Sequence, residues 1–138
     1  MKNQLGVTPL LLLLLLVGAS ATCGGSLTGP VGPGDWGGEH IGLVVAHNRA
    51  IVEYDCASGT IDQPLVAAKG RFTAAGTHTR GHGGPARENE IPDKHPARYD
   101  GRIDGERMIL EVTLTDSGEK LGRYTLVRGQ SPRVFKCL

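Results

Sequence analysis

Cysteines provide the plainest covalent chemistry in this sequence, at positions 23, 56 and 137. Because their number is odd, at least one thiol must stay outside any internal pair. Cys23 opens a Gly-, Pro- and Ser-rich stretch, CGGSLTGPVGPGD, whereas Cys56 and Cys137 lie in the body of the chain. The pair has no CxxC spacing and no βαβ context, so a structural disulfide is predicted rather than a redox-active one.

Histidines could supply metal-binding chemistry, because His78, His82 and His95 flank or occupy one polar stretch, residues 80 to 96. Zinc requires three or four ligands at about 2.0–2.3 Å. A spacing of four residues would bring His78 and His82 together on a helix but not where a strand leads into a loop. The three histidines are therefore weak metal candidates, and neither a metal nor a cofactor is predicted.

Catalysis would need a positioned nucleophile or an acid–base pair. The sequence contains no GxSxG, no HExxH and no Gly-rich phosphate loop after a strand. Glu53 and Asp55 share a strand face, but it is the predicted solvent side. Other carboxylates fall on outward faces or in turns: Asp100, Asp104, Glu106 and Glu111. No catalytic residue is predicted, and a small metal-dependent enzyme is the most distant of three functional hypotheses.

Three segments organise the chain around these side chains. Residues 1–21 have the charged, apolar and small-residue order of a secretory signal peptide, with seven consecutive leucines and the cleavage-type sequence ASA. Residues 22–35 are predicted to be a flexible tether, because they offer no apolar face to bury. Residues 36–138 form one predicted domain, exported to the periplasm or the extracellular space, where disulfides persist.

The start of the tether resembles that of a bacterial lipoprotein, in which lipid is attached to a cysteine at this place. The resemblance implies a lipid anchor on Cys23. Ser20 and Thr22 are not the residues that a lipobox favours, whereas the odd cysteine count favours lipidation. Lipidation and plain secretion both stay open, and a membrane is expected as a partner only through this anchor.

The charge balance gives no argument for two classes of partner. The formal net charge is +1, and without Lys2 the Lys and Arg equal the 14 Asp and Glu in number. A balanced surface with interspersed charges provides no electrostatic reason to bind nucleic acid or an anionic membrane. A monomer is expected.

Alternating polarity is the repeated pattern from residue 36 onward, and no helical stripe competes with it. The clearest example is RMILEVTLTD, which points Met108, Leu110, Val112 and Leu114 to one side. Similar alternation recurs in HIGLVVA, AIVEYDC, GRFTAAGTHT, ARYDGRI and LGRYTLV, with weaker runs in GTIDQPLVA and PRVFKCL. About eight short strands with tight turns predict an all-β domain, a single antiparallel up-and-down β-barrel.

Turns and glycines favour the barrel over a sandwich. Asp104-Gly105 predicts a two-residue type I′ hairpin turn. Gly76, Gly101 and Gly122 lie on predicted inward faces, where glycine permits the bends that a closed barrel requires.

Barrel closure also accounts for the distant cysteine pair. In a meander barrel the last strand closes against the first, so Cys137 is expected beside the hairpin that contains Cys56. Their bond would enclose about 80 residues and contribute at most about 4–5 kcal/mol through chain entropy.

One short motif resembles the lipocalin-type barrels. GDW, Gly34 to Trp36, is similar to their Gly-x-Trp start at the first strand. The resemblance implies an eight-stranded barrel that holds an apolar ligand, and an arginine near the last strand that covers Trp36. Arg133 is the matching residue.

A second motif, YDCASG, resembles the Tyr-x-Cys-x-x-Gly start of small exported barrels that inhibit C-type lysozyme. In that family the cysteine pairs with one near the C-terminus, which implies the Cys56–Cys137 pairing. The family's inhibitory motif, Ser-Gly-x-x-Tyr, is not met, since Tyr124 follows Gly118 by six residues. The resemblance implies architecture rather than activity.

Two sets of residues support the functional hypotheses. A small apolar ligand inside the barrel would contact Trp36, Phe72, Tyr99, Leu110, Val112 and Tyr124. An envelope or secreted protein would bind the long connection at Arg80, His82, Arg87, Glu88 and His95, unless this stretch is a solvated excursion. The leading hypothesis is an exported, non-catalytic binding domain of the cell envelope. The alternative is an inhibitor of a secreted hydrolase.

Overall fold

A computed structural model describes residues 28–138, which contain ten β-strands and no helix. The strands are β1 (Thr28–Pro30), β2 (Gly34–Gly38), β3 (Ile41–Val45), β4 (Ala50–Tyr54), β5 (Ala57–Ile61), β6 (Val66–Ala68), β7 (Arg71–Arg80), β8 (Asp93–Asp104), β9 (Arg107–Leu114) and β10 (Lys120–Arg128). The predicted signal peptide and Cys23 lie outside the described residues. Among residues 28–138, no helix is long and apolar enough to cross a membrane.

Eight strands close into an antiparallel barrel in the order β7-β5-β4-β3-β2-β10-β9-β8, and β8 pairs again with β7. Among these eight strands, those that follow each other in the chain also pair in the sheet, with β6 left out between β5 and β7, so the barrel is an up-and-down meander. Closure leaves none of these eight strands with an unpaired edge along the wall. The predicted all-β barrel with a Cys56–Cys137 disulfide is confirmed.

The alternating side chains fill the barrel interior. In β9, four inward residues each expose 1% or less of their surface: Met108, Leu110, Val112 and Leu114. Successive side chains of a strand point to opposite faces, so this period turns one apolar face of every strand inward. The inward residues of β3, β4, β7 and β8 join β9 in one hydrophobic cluster.

Inward glycines make room for aromatic rings. Gly101 lies directly opposite Phe72, and a Cβ at position 101 would lie 2.1 Å from the Phe72 ring. Gly59 and Gly76 border Tyr99 in the same way. The rings therefore occupy the space that side chains at these glycines would need.

A two-stranded ribbon lies beside the barrel wall. β1 pairs with β6, and β6 continues the sheet beyond β7 through Ala68 and Arg71. The Val31 N–H donates to the Leu65 carbonyl at 2.8 Å, and both side chains are buried. β1 and the start of β2 therefore lie within residues 22–35, the segment predicted as a tether. We call the end of the barrel at which this ribbon lies, next to the start of β7, the ribbon end.

The last ten residues, 129–138, form a strap across the outside of the barrel. The weak strand pattern of PRVFKCL predicted a barrel strand here, but the strap makes only an isolated bridge between Glu39 and Arg133. It crosses the outer face of β2 and β3, where a Cβ at Gly42 would lie 2.9 Å from Pro132. The seam of the barrel is formed by β10 with β2 instead.

The disulfide joins this strap to the β4–β5 turn, with 4.8 Å between the Cα atoms of Cys56 and Cys137. The two cysteines therefore meet because the strap returns along the outer wall. They do not meet through pairing of a final strand with the first, which was the route expected from the sequence.

The β8–β9 turn differs from its prediction by one residue. Asp104 pairs with Arg107, so the two turn residues are Gly105 and Glu106. Gly105 has a φ of 57°, whereas Glu106 has no positive φ. This matches a type II′ turn rather than type I′, which needs a positive φ at both central residues. The observed register keeps Met108 inward, which a slip of one residue would reverse.

Candidate functional site

One end of the barrel gathers most of the polar side chains singled out by the sequence. In an up-and-down barrel, alternate connections lie at the same end. The connections that meet here are the turns 39–40, 55–56 and 115–119 and the loop 81–92, joined by strap residues 133–138. We call this region the disulfide end.

A layer of polar aromatic side chains lies inside the barrel at this end. It contains all three tyrosines of the protein, Tyr54, Tyr99 and Tyr124, together with His78. The Tyr54 ring centroid lies 5.0 Å from that of His78 and 5.7 Å from that of Tyr124. The Tyr99 hydroxyl donates to the Thr77 carbonyl at 2.7 Å.

Two buried polar atoms in this layer lack a hydrogen-bond partner among residues 28–138: the Tyr54 hydroxyl and His78 Nδ1. Burial raises the pKa of Tyr54, and the neighbouring phenols act in the same direction. His78 exposes only 5% of its surface. Burial lowers the pKa of His78, and the positive charges of Arg80 and His95 lower it further, so the neutral imidazole is favoured.

Charged side chains form a rim around the mouth above this layer. Arg80 Nη2 donates to Glu119 at 2.7 Å, and Arg80 Nη1 lies 3.9 Å from Asp93. His95 bonds through Nδ1 to Asp116 at 2.7 Å and through Nε2 to Asp93 at 2.8 Å. The hydrogen bond to Asp116, followed by the one to Asp93, raises the pKa of His95. His95 in turn lowers the pKa of Asp116.

The loop 81–92 is fastened by its own contacts and at its base. His82 Nε2 lies 2.6 Å from Glu90 Oε1, and the Arg87 N–H donates to Glu90 Oε2 at 3.0 Å. The Gly83 carbonyl, followed by the Glu90 charge, raises the pKa of His82. At the base of the loop, the Gly81 N–H donates to the Cys56 carbonyl at 2.7 Å. A groove of about 540 Å³ lies between the loop and the ends of β7 and β8.

A fourth histidine, His40, joins the turns on the strap side. His40 Nδ1 lies 2.5 Å from Asp55 Oδ2, and the Phe135 N–H donates to Asp55 Oδ1 at 2.8 Å. The Phe135 N–H is the main cause that lowers the pKa of Asp55, with His40 acting in the same direction. The disulfide and Asp55 therefore hold the strap at adjacent positions.

Apolar side chains project into solvent around the same end. Ile91 exposes 89% of its surface, and Phe135 and Leu138 are also exposed. The Leu138 carbonyl approaches Gly83 so closely that a Cβ at Gly83 would overlap it. The loop and the strap therefore lie side by side, and both expose apolar groups.

No family model, curated protein or solved structure matches this chain. The likenesses to lipocalin-type and lysozyme-inhibitor barrels thus remain likenesses of short motifs. The resemblance to lipocalin-type barrels implied that Arg133 covers Trp36, and this prediction is wrong. Arg133 pairs with Glu39 at 2.8 Å, whereas the Arg128 guanidinium lies 5.1 Å from the Trp36 ring centroid. Arg128 is the arginine that the barrel seam places opposite Trp36.

The two predicted sets of binding residues lie in different environments. The ligand set, Trp36, Phe72, Tyr99, Leu110, Val112 and Tyr124, is brought together inside the barrel as part of the core. The loop set, Arg80, His82, Arg87, Glu88 and His95, lies on or beside the loop 81–92. Among residues 28–138, no group of three or more His, Cys, Asp or Glu side chains could hold a metal ion.

Sequence reasoning missed the acidic partners and the strap aromatic of this end: Asp55, Asp93, Asp116, Glu119 and Phe135. Asp55, Asp93 and Asp116 meet their partners through the register of neighbouring strands, Glu119 through the approach of the β9–β10 turn to β7, and Phe135 through the path of the strap. The closely spaced Gly37 and Gly42 were the available signal, because glycine in a strand often marks the close approach of another backbone segment. The assembled end offers charged, hydrogen-bonding and apolar groups on one surface, which suits recognition of another molecule.

Proposed function

We propose that this protein is an exported, non-catalytic binding domain that binds an envelope or secreted protein through its disulfide end. The observation that supports this most directly is the exposure of Ile91 and Phe135 on segments fastened to the barrel. Chain segments already held in place lose little backbone freedom on association, so more of the burial energy contributes to affinity. Apolar anchors surrounded by polar groups are also the usual composition of a protein–protein interface.

Packing of the interior supports a surface partner over an internal ligand. Tyr99, Leu110 and Val112 expose 1% or less of their surface, so no water-sized space adjoins them. A small apolar ligand at these residues would have to displace core side chains, which costs packing energy. The grooves of the disulfide end need no such displacement.

Inhibition of a secreted hydrolase is the second candidate. A packed barrel with a fastened, protruding loop is the geometry expected of an inhibitor that inserts a rigid loop into an enzyme cleft. Assays of C-type lysozyme and other secreted hydrolases with the purified protein test this candidate. Loss of enzyme activity at stoichiometric protein would support inhibition, and undiminished activity across the panel would contradict it.

The test of partner binding is capture from the envelope and secreted fractions of the host, followed by calorimetry with the purified partner. Ile91→Ser should weaken binding about tenfold or more if Ile91 is an interface anchor. Val44→Ser removes another exposed apolar side chain, from the outer face of β3, and is the control. Equal affinity of both variants and the unchanged protein would refute the disulfide end as the binding surface.

A further inference from the structure

Histidine–carboxylate pairs concentrate at one end of this barrel. Within residues 28–138, every ion pair that uses a histidine lies at the disulfide end, and the histidines are His40, His82 and His95. The buried His78 lies just beneath them. The fifth histidine, His47, lies in the β3–β4 turn at the ribbon end and forms no ion pair within the described residues.

Each of these pairs joins two different segments of the chain at this end. His40 and Asp55 join the β2–β3 turn to the β4–β5 turn. His95 and Asp116 join the start of β8 to the β9–β10 turn. His82 and Glu90 join the two sides of the loop 81–92. Each connection at this end thus contributes at least one member of a histidine–carboxylate pair.

The charged groups around each imidazole come from several elements. His95 faces Asp93 on its own strand, Arg80 and His78 on β7, and Asp116 and Glu119 on the β9–β10 turn. His82 faces Glu90, in a groove also lined by Arg80, Arg87 and Asp93. His40 faces Asp55, next to the Glu39–Arg133 pair. Arg80 is itself paired with Glu119, so carboxylates remain the immediate neighbours of His95 and His82.

We propose that the disulfide end is a proton-controlled surface, in which protonated His82 and His95 hold the loop 81–92 and its neighbouring turn closed, and loss of these protons releases them. The inference rests on the proposed function in assigning the released loop to partner binding. The opening itself needs no partner. An imidazolium attracts a carboxylate by charge, whereas neutral imidazole retains only a hydrogen bond.

The pH range follows from the direction of each shift. The pKa values of His82 and His95 are raised above the ordinary 6.5, so their contribution is complete below pH 6.5 and is lost as the pH rises through the raised values. The pKa of Asp116 is lowered from 3.8, so its contribution is lost only as the pH falls below 3.8 through the lowered value. The His82 and His95 contacts are therefore strongest in mildly acidic solution, whereas the buried His78, whose pKa is lowered, opposes folding below pH 6.5.

Hydrogen–deuterium exchange of the mature protein without any partner measures the opening directly. Protection factors, corrected for the intrinsic pH dependence of exchange, should fall about threefold or more for residues 81–92 between about pH 5 and pH 8. The strand β9 serves as an internal reference and should not change. His82→Gln and His95→Gln keep a polar side chain but remove the titrating charge, so each should flatten the pH dependence of its segment.

His47→Gln is the matched control, because its imidazole lies at the opposite end of the barrel. It should leave the pH dependence of residues 81–92 intact. Protection that stays constant from about pH 5 to pH 8, or that keeps its full pH dependence in the His82→Gln and His95→Gln double variant, would overturn the proposal. A pH-dependent loop in a protein that captures no partner would uphold this inference and refute the proposed function instead.

Discussion

His78 and His95 lie directly opposite each other on β7 and β8, yet their surroundings shift their pKa values in opposite directions. Both side chains point toward the barrel mouth, because directly paired residues of neighbouring strands share a face. His78 is more deeply buried and packs against the Tyr54 ring, and this burial favours the neutral imidazole. His95 lies at the rim between two carboxylates, where the protonated form is favoured. Within this pair of residues, the surroundings thus favour the neutral imidazole at His78 and the protonated one at His95.

Ring-proton NMR titration should resolve this difference. We expect the His95 midpoint above 6.5 and the His78 midpoint below 6.5. Since His78 must remain neutral in the fold, it should lower stability as the pH falls below 6.5, whereas the contribution of His95 should be lost as the pH rises above 6.5. Assignment through His78→Gln and His95→Gln completes the measurement. Coincident midpoints would mean that the mouth is evenly solvated.

The tyrosine layer predicts different results for one chemical change made at two positions. Tyr99→Phe removes the hydroxyl that donates to the Thr77 carbonyl and should lower the free energy of unfolding by about 0.5–1.5 kcal/mol. Tyr54→Phe removes a buried hydroxyl that lacks a partner, so it should leave stability unchanged or raise it. Urea denaturation of both variants checks the pair. An equal loss at both positions would show that Tyr54 is also hydrogen bonded in solution.

Gly101 should tolerate no larger side chain while Phe72 keeps its place. Gly101→Ala would force a Cβ into the Phe72 ring and should cost about 1–3 kcal/mol. Gly29→Ala is the control, because a Cβ at position 29 meets nothing within 4 Å. Thermal denaturation of both variants, and of Gly101→Ala combined with Phe72→Leu, measures the effect. Failure of the smaller Leu side chain to recover part of the loss would argue against overlap with the ring as its cause.

Removal of the disulfide should destabilise the whole barrel. The Cys56→Ser, Cys137→Ser double variant should lose about 2–5 kcal/mol of unfolding free energy, because the denatured chain regains the freedom of a long loop. The strap should then become the first site of limited proteolysis. Cys23→Ser, which leaves the pair intact, should behave like the unchanged protein in the same denaturation series. A double variant of undiminished stability would mean that the strap holds without its covalent bond.

The strands could be predicted from the sequence wherever one face of the strand is buried along its full length. Met108 to Leu114 alternate strictly because the barrel interior demands it at every second position. The strap offered only the weak alternation of PRVFKCL, which wrongly predicted a barrel strand, because the strap lies across the wall and packs against Gly37 and Gly42. Its path is set by small residues elsewhere in the chain rather than by its own periodicity.

The candidate site was predictable only in its loop. The position of the loop 81–92 followed from its polar, Gly- and Pro-containing sequence. The pairing of His95 with Asp116, and of His40 with Asp55, depends on the register of the β8–β9 and β3–β4 hairpins. Neither is encoded in the local sequence around these residues, because the partners are 21 and 15 positions apart.

The strap also determines how the barrel would respond to a pulling force. The seam between β2 and β10 has two register pairs, at Val127 and Arg128, whereas the ladder between β7 and β8 has ten. Fraying under tension should therefore begin at this seam. Because the strap continues from β10 and ends in a covalent bond to Cys56, β10 cannot peel away from β2 without also pulling on the β4–β5 turn. The shortest ladder of the barrel is thereby protected from unzipping, and the wall should remain mechanically stiff after its seam hydrogen bonds have begun to break.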